Sequence, residues 1–305
     1  MERLTAKEMY RYPLPISRWF EAARNMGDEG GGAGRHEAVM RLADVITFYL
    51  GAVAVGQYSQ ALYTGRIEGD PTLGRSLRSL KRVLPGQWLL WAARGLEATP
   101  DGPVERLSAW YLDKQGGEIA HAYNALQKVM TEELGYTGEY GARGEVSPRA
   151  LLEMVDQYKI IRGKRLEGRA SFEHDGEVAD ALLSGLAALV ASSDFFIEYE
   201  LYAPRQRQLL MGAIATMPMP PMTAPGDAEA SLLLYPPGEA PDYTKRPNLH
   251  NERAPLFPLD PLLVYGQCNA CDTYRVGALR GVVDGVPSYI GLDPDCGHEL
   301  LLTGP

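Results

Sequence analysis

The chain's three cysteines lie in two short motifs near its end, Cys268-Asn269-Ala270-Cys271 and Cys296-Gly297-His298. A C-x2-C turn sets two thiolates on one side of a tight knuckle, at the separation a tetrahedral Zn2+ needs. The C-x-H pair can supply the other two ligands. Four protein ligands leave no open position, so such a site is structural rather than catalytic. Three cysteines are too few, and odd in number, for a disulfide framework; in a reducing compartment clustered cysteines are more often ligands or catalytic groups. The competing reading is a ribbon that folds without metal and keeps reduced thiols. A redox C-x-x-C site is disfavoured, because no strand-to-helix pattern surrounds it.

A second constellation lies in "RLEGRASFEHDGEVADALL", residues 165–183. Arg169 and His174 stand five positions apart, just before a long apolar-periodic segment. Lys159, Arg162, Lys164 and Arg165 precede them, against the single acid Glu167. That is a local surplus of positive charge, as a phosphate-binding surface requires. The plainer reading is structural. His174 lies one turn before Val178, where it packs or caps, and Arg169 pairs with an acid across the fold.

Both constellations need elements to position them. The 305 residues correspond to about two domains at roughly 100–200 residues each. With 45% hydrophobic and 23% charged residues, the chain can build a sizeable core. A formal charge of −9 excludes a protein built as a whole to coat nucleic acid. No run of 18 apolar residues reads as membrane-spanning, and the start lacks the basic-then-apolar pattern of a signal peptide. A cytoplasmic protein without membrane contact is expected.

The first 20 residues, with two prolines and several aromatics, read as an extended arm. "GDEGGGAG", residues 27–34, reads as a flexible loop. From Arg35, residues Val39, Leu42, Val45, Ile46, Tyr49, Leu50 and Val53 follow helical spacing over four turns. Asp70-Pro71 predicts an N-cap and first helical position, Pro85 opens another helix, and Gly116-Gly117 breaks a third region. Ser147-Pro148 starts the helix leading into the basic stretch. The last helix is predicted from about Gly176 to Tyr199, with Val178, Leu182, Gly185 and Leu189 on one face.

After Pro204 the character changes. "MPMPPMTAP", residues 217–225, contains four prolines in nine, which no helix survives. Then come strand-like runs ("ASLLLY", "DPLLVYGQ", "YRVGALRGVV", "PSYIGLD"), with the hairpin signal Asp284-Gly285 between the two cysteine motifs. The expected fold class is α+β: an up-and-down helical bundle over 1–203, a Pro-rich linker over 204–228, and a small β domain with a zinc knuckle pair over 229–305.

The helical part resembles the HEPN superfamily, helical bundles of which many carry R-x4-6-H near the start of the last core helix; Arg169 and His174 match that motif here. The resemblance covers roughly residues 35–200 by pattern, and only the R-x4-H stretch is specific. It implies metal-independent RNA cleavage, with His174 as general base or acid and Arg169 stabilising the pentacoordinate phosphate. It also implies a place in bacterial defence or signalling systems, often with two copies forming the site. Ala170 follows the arginine where the family usually has a polar residue. The leading expectation is therefore a non-enzymatic regulatory or protein-interaction module, partnered by another protein of the same system or by itself as a homodimer. The alternatives are an endoribonuclease, or an RNA- or DNA-binding adaptor using the Lys159–Arg169 patch.

Overall fold

The computed structural model describes residues 12–29, 31–104, 106–138, 141–165, 174–203, 208–210, 232–236, 256–268 and 270–300. Among these, helices α1 (Leu14–Glu29), α2 (Gly31–Tyr63), α3 (Pro71–Arg78), α4 (Pro85–Ala98), α5 (Leu107–Leu112), α6 (Gly117–Glu132), α7 (Pro148–Arg165), α8 (Asp175–Ala191) and α9 (Phe195–Glu198) come first. Strands β1 (Glu200–Ala203), β2 (Gln208–Leu209), β3 (Leu233–Tyr235), β4 (Phe257–Pro258), β5 (Leu263–Cys268), β6 (Thr273–Val283), β7 (Val286–Gly291) and β8 (Glu299–Leu300) follow. They form two antiparallel sheets, β2-β1-β3-β4 and β5-β6-β7-β8. The fold class is α+β, a helical bundle followed by small sheets.

Local chemistry explains most boundaries. Asp70 caps α3, its Oδ1 accepting from the Leu73 N–H at 2.6 Å with Pro71 at the first helical position. Ser147 Oγ accepts from the Ala150 N–H at 3.2 Å at the start of α7. Asp284 (φ 52) and Gly285 (φ 80) both adopt positive φ between the paired residues Val283 and Val286, as a two-residue primed turn requires.

Two expectations at the N-terminal end are corrected. Residues 14–29 form a helix, not an arm: Pro15 falls in the first turn, where a missing N–H costs nothing, and Leu14, Phe20 and Ala23 are buried. The glycine-rich stretch 27–34 is mostly helical, since α1 runs to Glu29 and α2 begins at Gly31. Each glycine inside a helix costs about 1 kcal/mol relative to alanine. Packing of α2 against α1, α4, α7 and α8 outweighs that cost.

Helix α2 is the axis of the bundle. Its 33 residues span about 50 Å at the standard helical rise. Val39, Leu42, Ile46, Leu50 and Val53 are fully buried. Over 33–63 it is long and apolar enough to cross a membrane, but 89% of its most apolar window lies inside the protein, as in a core helix.

The helical and β parts share one buried cluster running from Tyr12 to Leu300. Strand β1, at the end of the expected first domain, pairs with β3 of the second. Gln208–Leu209, inside the expected linker, pairs with β1, and the Leu210 C=O accepts from the Leu14 N–H at 2.8 Å. The proline-rich stretch 217–225 lies outside the described residues. Further bonds stitch the seam: Gln60 Nε2 donates to the Leu256 C=O at 2.8 Å, and the Val83 N–H to the Arg280 C=O at 2.8 Å, beside a register shift in β6.

Candidate metal centre

Cys268 ends β5, and its pairing with Thr273 at the start of β6 closes a knuckle that carries Cys271. Asp272 in that knuckle adopts φ 51, and its carboxylate accepts from Gln267 Nε2 at 3.0 Å. Cys296 and His298 lie in the connection between β7 and β8. There the Cys296 N–H donates to the Asp293 C=O at 3.0 Å, and the Gly291 N–H to the His298 C=O at 3.0 Å. A side chain at Gly291 would sit 2.7 Å from the Cys296 carbonyl and 3.0 Å from its sulfur, so only glycine lets β7 pass this close to the cluster.

The four donor atoms lie within 4.8 Å of one another. His298 Nδ1 is 3.8 Å from Cys268 Sγ, 3.3 Å from Cys271 Sγ and 3.8 Å from Cys296 Sγ. Cys268 and Cys296 are buried, Cys271 is half-buried and His298 is exposed. Burial pushes the Cys268 thiol up, but hydrogen bonds from the Cys271 and Ala270 backbone and from the Cys296 and Cys271 thiols outweigh it and hold the group at about 7. Burial pushes Cys296 up to about 12, helped by its hydrogen bonds with the Cys268 and Cys271 sulfurs and by the charge of Cys268, with a backbone hydrogen bond from His298 opposing. A cation among these sulfurs would favour the thiolate form of all three. These residues could hold a metal ion, and the two motifs chosen by spacing are the ones the fold brings together.

The arginine–histidine end of the bundle is built differently. Arg169 lies outside the described residues, as does the side chain of Arg165. His174 is the residue before α8, and its Nδ1 is in contact with Glu133 Oε1 at the end of α6. Its side chain makes no capping bond. Lys159 is ion-paired to Asp44 of α2. Arg162 grips the buried Asp175 with two bonds, Nη2 to Oδ2 at 2.7 Å and Nε to Oδ1 at 3.3 Å. Lys164 is exposed. Two of the basic residues expected on a phosphate-binding face thus satisfy internal carboxylates.

The same end holds a buried network that spacing did not single out. His36 of α2 is 2% exposed, its Nε2 is 3.0 Å from Tyr158 Oη and 3.7 Å from Asp175 Oδ1. Burial, and then the charge of Arg162, depress His36 to about 4, with Asp175 and Glu37 opposing. His36 is therefore neutral at pH 7 and can share a hydrogen bond with Tyr158. A signal existed: His36 stands three residues before Val39 and ten before Ile46, on the apolar stripe of α2.

No family model matches the chain, and neither the curated proteins nor the solved structures yield a match.

Proposed function

We propose that the chain is a non-enzymatic protein-interaction module whose β part is fastened by a structural zinc ion on Cys268, Cys271, Cys296 and His298. The observation that carries the metal part of this reading is the convergence of three sulfurs on His298 Nδ1 at 3.3–3.8 Å. With Zn–S near 2.3 Å and Zn–N near 2.0–2.1 Å, tetrahedral geometry sets sulfur and nitrogen about 3.6 Å apart. Four protein donors complete the shell and leave no position for substrate or water. Zinc would supply cross-linking of two sequence-distant loops rather than reactivity.

A regulatory role in a bacterial defence or signalling system rests on the HEPN-like R-x4-H stretch alone. In that setting the partner is another protein of the system or a second copy of this chain. Purified protein should contain about one zinc per chain by elemental analysis, and less than half would sink the metal reading. Co-expression with the products of neighbouring genes should yield a stable complex, or the chain alone should run as a dimer. A monomer that binds none of them would overturn the interaction reading.

One observation favours a second reading, a metal-independent ribonuclease. Glu133 lies beside His174 Nδ1, where a carboxylate would orient the ring and leave Nε2 as the nitrogen that could exchange a proton with a ribose hydroxyl. Incubation with structured and single-stranded RNA tests it. Intact RNA, unchanged by His174→Ala, ends this reading.

A further inference from the structure

The loop that carries Cys296 and His298 also carries the docking contacts of the N-terminal helix. Trp19 of α1 donates its indole N–H to the Leu292 C=O at 2.5 Å, across 273 positions of sequence. The next residue, Asp293, has a side chain only 2% exposed that faces two arginines: Arg18 of α1 at 3.5 Å and Arg275 of β6 at 3.2 Å. The Asp293 C=O in turn accepts from the Cys296 N–H, and the Leu292 N–H donates to the Val276 C=O at 2.8 Å. From Leu292 to Cys296, therefore, the backbone is held on one side by α1 and β6. On the other it presents a sulfur to the cluster.

We propose that Arg18, Trp19 and Arg275 are positioning residues for the metal centre. Docking of α1 sets the loop so that Cys296 and His298 meet the Cys268–Cys271 knuckle, and metal binding tightens the docking of α1. The proposal rests on the metal reading of the four-donor cluster. Its physical basis is linkage: if docking raises metal affinity, metal must raise docking by the same factor. Groups that orient metal ligands from outside the coordination shell typically change metal affinity by about 10–100-fold when removed. A partner that took hold of the N-terminal helix would thereby alter metal retention.

The test uses the full chain, stripped and reloaded with Zn2+ in competition with a chromogenic chelator. Arg18→Ala and Trp19→Phe should each weaken Zn2+ affinity by roughly 10-fold, the lower end of that range, because they hold the loop beside the ligands rather than a ligand side chain. Arg18→Lys, which keeps a cation beside Asp293, should restore most of the loss. Arg41→Ala, in an exposed pair with Glu37, should change nothing. With Co2+ as probe, Arg18→Ala should alter the visible bands that report tetrahedral geometry. In the wild-type chain, which needs no substitution, Zn2+ should slow amide exchange over residues 14–23. Unchanged affinity in both variants together with unchanged exchange at 14–23 overturns the coupling and leaves the metal reading intact. A wild-type chain that binds neither Zn2+ nor Co2+ overturns both.

Discussion

The cysteine corner and the arginine–histidine end look alike as sequence, each a short motif of reactive residues beside a predicted element, yet the fold treats them oppositely. At the corner, four donors from two loops converge on one another. At the bundle end, Arg162 and Lys159 turn to Asp175 and Asp44, and the histidine fully enclosed there is His36. The difference lies in what each motif needs. A knuckle and a hairpin are local structures, written in a few adjacent residues. A basic face exists only if no carboxylate arrives from another helix.

The sharpest way to break this comparison is to remove a sulfur. Cys268→Ser should abolish tight metal binding and with it the stabilisation that metal supplies, about 4 kcal/mol at a thousandfold excess over Kd. In the presence of Zn2+ the variant should then unfold roughly 10 °C below the wild-type chain, at about 2–4 °C per kcal/mol for a chain of this size. Chelation of the wild-type protein should mimic it, and an unchanged melting curve would make the corner no more than packed thiols.

At the other end, Asp175→Ala strands the Arg162 guanidinium beside neutral His36. Breaking a buried pair in this way costs about 3–5 kcal/mol, read as a lower urea midpoint. A loss under about 1 kcal/mol would mean that water reaches this network and that it holds little of the bundle together.

The pH dependence separates the two ends further. His36 sits at about 4 in the folded chain against an ordinary 6.5, so the unfolded chain takes the proton first. Stability from the neutral ring is complete above pH 6.5 and is lost as pH falls toward 4, by up to about 3 kcal/mol at 1.36 kcal/mol per pH unit. His36→Gln should flatten that slope in urea unfolding at a series of pH values. A slope unaltered by the substitution would assign the loss to other groups.

The smallest effect is expected at Glu133→Gln. It removes the anion beside a half-exposed His174 and should cost about 0.2–1 kcal/mol. A loss above 2 kcal/mol would make the pair part of the buried network, closer in kind to the cysteine corner than its exposure implies.

Much of the fold was legible because its signals were short-range. Asp70 before Pro71, Ser147 before Pro148, the break at Gly116-Gly117 and the turn at Asp284-Gly285 each act within a few residues, and each lies where the sequence puts it. Helix α8 starts one residue before its expected first position, but ends at Ala191 rather than near Tyr199. The N-terminal arm and the glycine loop were misread for one reason: proline and glycine penalise helix locally, and only burial against α2 repays the penalty.

By itself the sequence determined the class of fold, most helix starts and the membership of the four-residue Cys/His cluster. It could do so because period, caps, turn residues and the sparseness of cysteine are properties of neighbours along the chain. The tertiary structure alone decided that Lys159 and Arg162 turn to internal carboxylates, that His36 meets Tyr158 and Asp175, and that Trp19 reaches Leu292. Those outcomes depend on which carboxylate, ring or carbonyl another element brings within about 3 Å, and hydrogen bonds of that length carry no trace in local composition.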